Sequence, residues 1–388
     1  MKKNRLAWLM LAFNMICFSA PFHASAIVFD TNSEFTYETH YGYIEITGFT
    51  SSDPETHLSQ TVEIPAKING LPVTVIGQSA FSGQQFSEII LPDSLQMIQD
   101  KAFSNNSHLK HISIPDSVIL LGETIFQNCT NLETAVLPNS LTEIPKRTFE
   151  YCHSLESVTI PRQVTTIGEY AFEECWSFDE MVIPDSVTTL QDYCFSHCHN
   201  MQKITIPDSV NFIGDGAFLN CQKLETLKIP DTITNVPYTM GMFTGIKEII
   251  FSENVQNVGY FAVGYCENLK SVTFLNPNCQ IVDDACVSFN VLWGLNFEFG
   301  GIIYGYEGST AQKYAQKYGY EFRNIGETFV SDIAGDVSGD GKLSVVDFVQ
   351  FKKAFLSGNS LPKICNMNHD NLVNVIDFAL LKKALLKQ

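Results

Sequence analysis

Leu155-Glu156-Ser157-Val158-Thr159-Ile160-Pro161-Arg162-Gln163-Val164-Thr165-Thr166-Ile167-Gly168-Glu169-Tyr170-Ala171-Phe172-Glu173-Glu174-Cys175 is one unit of a pattern that starts again at Phe178. Prolines fall at 92, 115, 138, 161, 184, 207 and 230, a constant step of 23 residues. Phenylalanine keeps the same step at 103, 126, 149, 172, 195 and 218, with Phe81 loosely in line, and cysteine keeps it at 129, 152, 175, 198 and 221. Within the unit, Val158 and Ile160 bracket Thr159 as a short strand with one buried face would. Pro161 has no N–H to give to a ladder, so it ends that strand and turns the chain. One such unit buries too little apolar surface to fold alone, so neighbours must stack, each adding a strand and a layer of core. The expected fold is a mainly β solenoid of 23-residue repeats.

These residues resemble the BspA-like leucine-rich repeat of bacterial surface and secreted proteins, with its signature Ile-Pro-x-x-Val-x-x-Ile-Gly-x-x-Ala-Phe. The resemblance covers residues 64–300 and is most regular between Pro92 and Pro230. Around Met240 to Phe243 one residue drops out of the step, and Leu275 to Phe299 keeps only traces of it. Irregular outer units suit the need to cap an open core. Ahead of the repeats, Thr36 to Thr50 alternates through Tyr37, Tyr41, Tyr43, Ile44 and Ile46 and reads as a cap strand region within residues 27–63. Behind them, Ser309-Thr310-Ala311-Gln312 has the pattern of a capping box opening a short helix that Gly319 would end. With Tyr304, Tyr306, Tyr314, Tyr318 and Phe322 it forms an expected closing cap over 301–325, followed by a linker at 326–334.

The most specific chemistry lies in the last segment. Asp336, Ser338, Asp340, Lys342, Ser344 and Asp347 occupy positions 1, 3, 5, 7, 9 and 12 of a loop with Gly341 at position 6. Hard oxygen donors at this spacing, with a glycine for the sharp turn, describe an EF-hand-like calcium loop in which Lys342 need offer only its carbonyl. Asn366, Asn368, Asp370, Leu372, Asn374 and Asp377 repeat the spacing 30 residues later, and an amphipathic segment follows each loop.

The paired loops resemble the type I dockerin domain of cellulosomes, here over Gly335 to Leu386 within a module at 335–388. The resemblance implies two bound calcium ions and calcium-dependent docking onto a cohesin domain of a scaffoldin. Position 12 is Asp in both loops, as dockerins have it, whereas Ser338, Asn366 and Asn371 depart from the usual ligand and glycine pattern. The first site carries three ligand carboxylates and the second two, so the second is expected to bind calcium more weakly. In the family, partner choice lies at loop positions 10 and 11 and on the following helix. Those positions are Val345 and Val346, with Lys352 and Lys353, in one half, and Val375 and Ile376, with Lys382 and Lys383, in the other. Apolar pairs beside cations suit a small interface whose partner has an acidic rim. The near identity of the halves allows docking in two orientations; valines that simply fill the module core are the competing reading.

The first residues have a basic start (Lys2, Lys3, Arg5), an apolar run from Leu6 to Ala20 and Ala24-Ser25-Ala26, the three parts of a secretory signal peptide over 1–26. That run is shorter than the roughly 20 residues of a spanning helix, and no later segment qualifies, so a secreted, extracellular protein without a membrane span is expected. Over the whole chain, 24 Lys and Arg stand against 42 Asp and Glu. The dockerin-like module is +2 and residues 27–334 are −23, so the acidity belongs to the repeats, and phosphate neutralisation of a nucleic acid is excluded as a function.

Ten cysteines remain after Cys17 is set aside with the leader. In stacked units the cysteine column would point side by side, which is poor geometry for disulfides, so buried thiols are expected. Cys194, His197, Cys198 and His199 have the composition of a zinc site, but the repeat register sends them in different directions. Glu133, Glu156, Asp179 and Glu225 form an acidic column interrupted by Lys110 and Gln202, read as a solvated face, with a basic partner as the alternative. Asp93, Asp116, Asp185, Asp208 and Asp231, each after a proline, are read as turn residues. No nucleophile elbow, phosphate loop or zincin motif is present. The leading expectation is a non-catalytic cellulosome component whose repeats recognise a protein or glycan. The alternative is a dockerin-delivered enzyme or enzyme inhibitor, acting on polysaccharides or proteases through the repeat face.

Overall fold

The computed structural model describes residues 27–28, 34–50, 61–282, 299–325, 344–356 and 381. Most turns of the solenoid carry two short strands that pair in parallel with their equivalents one turn away, with Thr226 contributing only isolated bridges in its turn. On one side run His111–Ser113, Thr134–Val136 and Ser157–Val158. On the other run Glu143–Ile144, Thr166–Ile167, Thr189–Leu190 and Phe212–Ile213. The sequence pattern exposes only the first side. The second side comes from the Val-x-x-Ile half of the unit, where two-residue strands are too short to show a period of two.

A third side is built without strands. The N–H of Phe126 bonds the Thr148 carbonyl at 2.9 Å, that of Phe149 the Ala171 carbonyl at 2.8 Å and that of Phe172 the Cys194 carbonyl at 2.9 Å. The phenylalanines stack inside these corners, with centroids 5.4 to 5.7 Å apart from Phe81 to Phe172, all fully buried. Truncating one of them, as in Phe172→Ala, would remove a whole layer of contacts, a loss of about 3–5 kcal/mol. The residues two before and two after each phenylalanine take left-handed backbone, including Arg147, Tyr151, Tyr170 and Glu174. Few of these positions are glycine, so the sequence does not announce them.

The cysteine column is buried and its thiols are free. Cys129, Cys152, Cys175, Cys198 and Cys221 each donate Sγ–H to the carbonyl of a phenylalanine in the preceding turn, at 3.1 to 3.3 Å. Asn106 holds the same place one turn before Cys129, its Nδ2 bonding the Phe81 carbonyl at 2.8 Å. All eight described cysteines are free and buried, while Cys286 and Cys365 lie outside the described residues. Burial pushes the Cys129 thiol up to about 12 and the Cys152 and Cys175 thiols well above their ordinary value.

Gly168 sits at a close approach of successive turns: a Cβ there would lie 2.7 Å from the Ile144 carbonyl and 2.8 Å from the Lys146 nitrogen. The serines two residues after Pro138 and Pro184 also tie turns together, as Ser140 Oγ donates to the Val118 carbonyl and Ser186 Oγ to the Val164 carbonyl.

Phe35–His40 and Tyr43–Phe49 form an antiparallel hairpin over the first turn, burying Tyr37, Ile44 and Ile46. The alternation through 36–50 is thus two strands, split at Tyr41 and Gly42, the latter with φ +92°. At the far end, Glu248–Phe251, Ser271–Phe274, Ile302–Gly305 and Glu321–Asn324 make a parallel sheet. The helix Thr310–Tyr318 lies beside it, capped by Ser309, whose side chain accepts from the Gln312 N–H, and ended by Gly319 at φ +74°.

Candidate functional site

Two features carry functional chemistry: the C-terminal helix Val345–Leu356 with the loop end before it, and the solenoid surface. Ser344 caps the helix, its Oγ accepting from the Val346 N–H at 3.2 Å. Asp347 reaches back, one carboxylate oxygen accepting from the Ser344 N–H at 2.6 Å and from its hydroxyl at 3.0 Å. This reciprocal arrangement is a capping box, and it places an acidic side chain in the first turn, where the helix dipole favours it. Ser344 and Asp347 are also positions 9 and 12 of the first calcium loop. A fully buried carboxylate, fixed by a backbone N–H and a hydroxyl at the loop's end, is the hard oxygen chemistry a calcium ion takes, so the described part of the loop fits the ion. Asp336, Ser338, Asp340 and Lys342 lie outside the described residues, as do Asn366, Asn368, Asp370, Leu372, Asn374 and Asp377.

The helix presents two faces. Asp347 and Phe351, four residues apart, are fully buried. Val346, Val349 and Lys353, spaced by three and four, point to the end of the solenoid. There Val346 and Val349 join Leu275, Tyr304 and Ile325 in a separate apolar cluster flanked by Ile250, Ile302 and Tyr306. Lys353 Nζ donates to the Tyr306 hydroxyl at 2.6 Å and lies 4.3 Å from the centre of its ring. Of the expected cohesin-contacting residues, Val346 is therefore covered and Lys353 engaged, while Lys352 is exposed. Val375, Ile376, Lys382 and Lys383 lie outside the described residues.

Residues 74–200 and 165–291 match the family described as BspA type leucine rich repeat region, with six copies, and between them they span more than half of the chain. The chain belongs to the BspA-type leucine-rich-repeat family. Residues 334–386 match the type I dockerin domain, so this BspA-type solenoid carries a dockerin at its C-terminal side. Both are interaction modules without catalytic machinery of their own; a type I dockerin typically binds calcium and implies a cohesin partner.

Among solved structures, a leucine-rich repeat protein from Bacteroides ovatus is similar at 23% identity over 70% of this chain and 70% of that one, with a TM-score of 0.48. The pneumococcal vaccine antigen PcpA is similar at 18% identity over 76% of this chain and 98% of its own, with a TM-score of 0.47. A leucine rich cell surface protein from Faecalibacterium prausnitzii gives 21%, 76% and 98%, with a TM-score of 0.40. No curated protein matches.

On the BspA-type surface, the mixed Cys and His group does not converge. Cys194 and Cys198 are fully buried, Cys198 is spent on the Phe172 carbonyl, His199 contacts the Asn220 carbonyl at 3.1 Å and His197 contacts Ser196. Among the described residues, no group of three or more His, Cys, Asp or Glu could hold a metal. The acidic column is partly paired: Lys247 pairs with Glu225 at 2.6 Å, Lys110 lies 4.0 Å from Glu133, and the neutral amide of Gln202 donates to Asp179 at 2.6 Å. Asp116, in the row of aspartates after proline, accepts from the backbone N–H and side chain of Asn139 one turn on, which lowers its pKa.

Sequence reading missed a polar row beside the phenylalanine stack. Arg147 lies over the Tyr170 ring at 4.4 Å and pairs with Glu150 at 2.6 Å, while Tyr170 stacks on Tyr193 at 5.1 Å. His153 stacks on Trp176 at 3.8 Å with planes 9° apart. Rings stacked from turn to turn spend their faces on one another and offer edges outward, so this ladder stiffens the surface more than it offers a flat stacking platform. Glu173, in the same row, is pushed up to about 7 by burial, by the charge of Glu150 and by a hydrogen bond with it. A shallow groove of about 350 Å³ lies along the first strand side, among Ser113, Pro115, Asp116, Val136 and Thr159, with Asp116 its one carboxylate.

Proposed function

We propose that the protein is a secreted, non-catalytic component of a cellulosome, its BspA-type repeats forming a recognition surface held on a scaffoldin by calcium-dependent docking of its dockerin to cohesin. The observation that carries the reading is the pair of calcium loops in register, 30 residues apart, within a segment matching a type I dockerin. Calcium held through Asp336, Ser338, Asp340, Lys342, Ser344 and Asp347, and through Asn366, Asn368, Asp370, Leu372, Asn374 and Asp377, fixes the two loops and orders the helices that follow. Two ions bind, the second more weakly. Val345, Val346, Lys352 and Lys353 in one half, and Val375, Ile376, Lys382 and Lys383 in the other, make two candidate surfaces for cohesin, one in each half. The leader at 1–26 directs export, and among the described residues no helix is long and apolar enough to cross a membrane. The repeats, rigid from turn to turn and strongly acidic, leave their outer faces for a protein or glycan ligand.

The test is capture from a secreted fraction by the mature protein, in calcium and again in chelator. A cohesin-bearing scaffoldin held only in calcium supports the reading, and what is kept in chelator identifies the ligand of the repeats. Capture of no scaffoldin in either buffer would refute it.

A further inference from the structure

The outward face of the last solenoid turns differs from that of the earlier ones. Strand positions that face outward in the middle turns are mostly polar or lie in water, as Glu180 and Thr205 do. In the strand Ile302–Gly305 the core residue is Ile303, fully buried, while Ile302 and Tyr304 point the other way. The pairing register sets Tyr304 beside Thr273 on one strand and Arg323 on another, with Ile250 beside Thr273 beyond it. Leu275 and Ile325, each following a strand end, complete an apolar patch on a sheet face that a free solenoid would leave in water.

The patch has an occupant in this chain. The helix Val345–Leu356 lays Val346 and Val349 on it, and both Val346 and Ile325 are less than a tenth exposed. Lys353, one turn further, closes the contact at its edge on the hydroxyl and ring of Tyr306. The helix does not need this patch to bury its other face, since Asp347 and Phe351 are buried on a different side. The contact therefore uses a second stripe of the helix, and that stripe includes Val346 and Lys353, two of the residues assigned above to cohesin.

We propose that the apolar end face formed by Leu275, Tyr304, Ile325 and Tyr306 is a docking surface for the dockerin's first helix, which withdraws that half from cohesin and lets the full-length chain dock in one orientation only. The solenoid is then fixed rigidly to its dockerin, and the repeats project from the scaffoldin at a set angle. The contact stands on the geometry alone, and its consequence for orientation rests on the cohesin reading.

Full-length protein in calcium gives the test. Hydrogen exchange of peptides covering 299–325 and 344–356 should quicken at least tenfold in Ile325→Asp, and also in Tyr306→Ala, which leaves the repeat core untouched. Unchanged exchange in both variants overturns the contact, whatever cohesin does. In the second arm, binding of an isolated cohesin is compared across variants. Val375→Asp with Ile376→Asp should weaken binding at least tenfold in the otherwise unsubstituted chain, and adding Ile325→Asp should restore it by freeing the first half. Full affinity in the Val375, Ile376 variant overturns the single orientation. Absence of cohesin binding by every chain, the unsubstituted one included, removes the cohesin reading and the orientation with it, and leaves the contact to be judged by exchange.

Discussion

Cys175 donates its Sγ–H to the carbonyl of Phe149, one turn back along the solenoid, at 3.3 Å. The same bond recurs along the cysteine column, which makes each thiol both a small core filler and a tie between turns. None of the eight cysteines from Cys129 to Cys279 should react with a thiol reagent in the native protein, because reaction needs an accessible thiolate and all eight thiols are buried. All eight should react after unfolding without reductant. Mass spectrometry of labelled peptides checks this, and labelling of Cys175 in the native state would contradict it.

Gly168 tests the closeness of successive turns. Gly168→Ala is expected to cost about 1–3 kcal/mol, because the atoms its Cβ would strike are backbone and cannot swing aside. Gly300→Ala, with open space around it, should change stability little. Denaturant midpoints of the two variants separate a packing constraint from a general preference for glycine.

Glu173 gives the protein a pH dependence whose sign follows from its raised pKa. Its carboxyl titrates near 7 in the folded chain and near 4.3 in the unfolded one, so the folded state binds more protons between those values. Stability is full below the unfolded value and falls as pH rises towards 7, by at most about 1.4 kcal/mol per pH unit. Glu173→Gln should remove that loss, raising the melting temperature at pH 8 more than at pH 5. Equal shifts at both values would show that the charge is not what the site resists.

Calcium titration of the full chain should give two unequal sites, since the first loop's sequence offers three carboxylates at ligand positions and the second offers two. Asp347→Ala should remove the tighter site and Asp377→Ala the weaker one. Chelation should leave the solenoid's melting unchanged, because its described core is held by apolar side chains and hydrogen bonds between turns. Two equal sites by calorimetry would contradict the ordering.

Much of the repeat was legible because the solenoid is a one-dimensional object: Pro161, Phe172 and Cys175 each mark a place that recurs in every turn, and the column fixes what is inside. The second strand side was hidden by its length, Thr166 and Ile167 being a whole strand. The left-handed positions were hidden because Arg147, Tyr151 and Tyr170 hold them in place of glycine, held there by inter-turn hydrogen bonds. In the dockerin, Ser344 and Asp347 were named from loop spacing, and their capping box follows from the same spacing seen at the helix start.

The sequence by itself determined the solenoid and the thiol column, because each depends on residues at a fixed step along the chain, and the same kind of spacing marks the paired loops for which calcium is proposed. Only the tertiary structure decided what Val346 and Lys353 touch. Their partners Leu275, Tyr304, Tyr306 and Ile325 come from different strands and turns, and they become one apolar surface only when the parallel register brings them together.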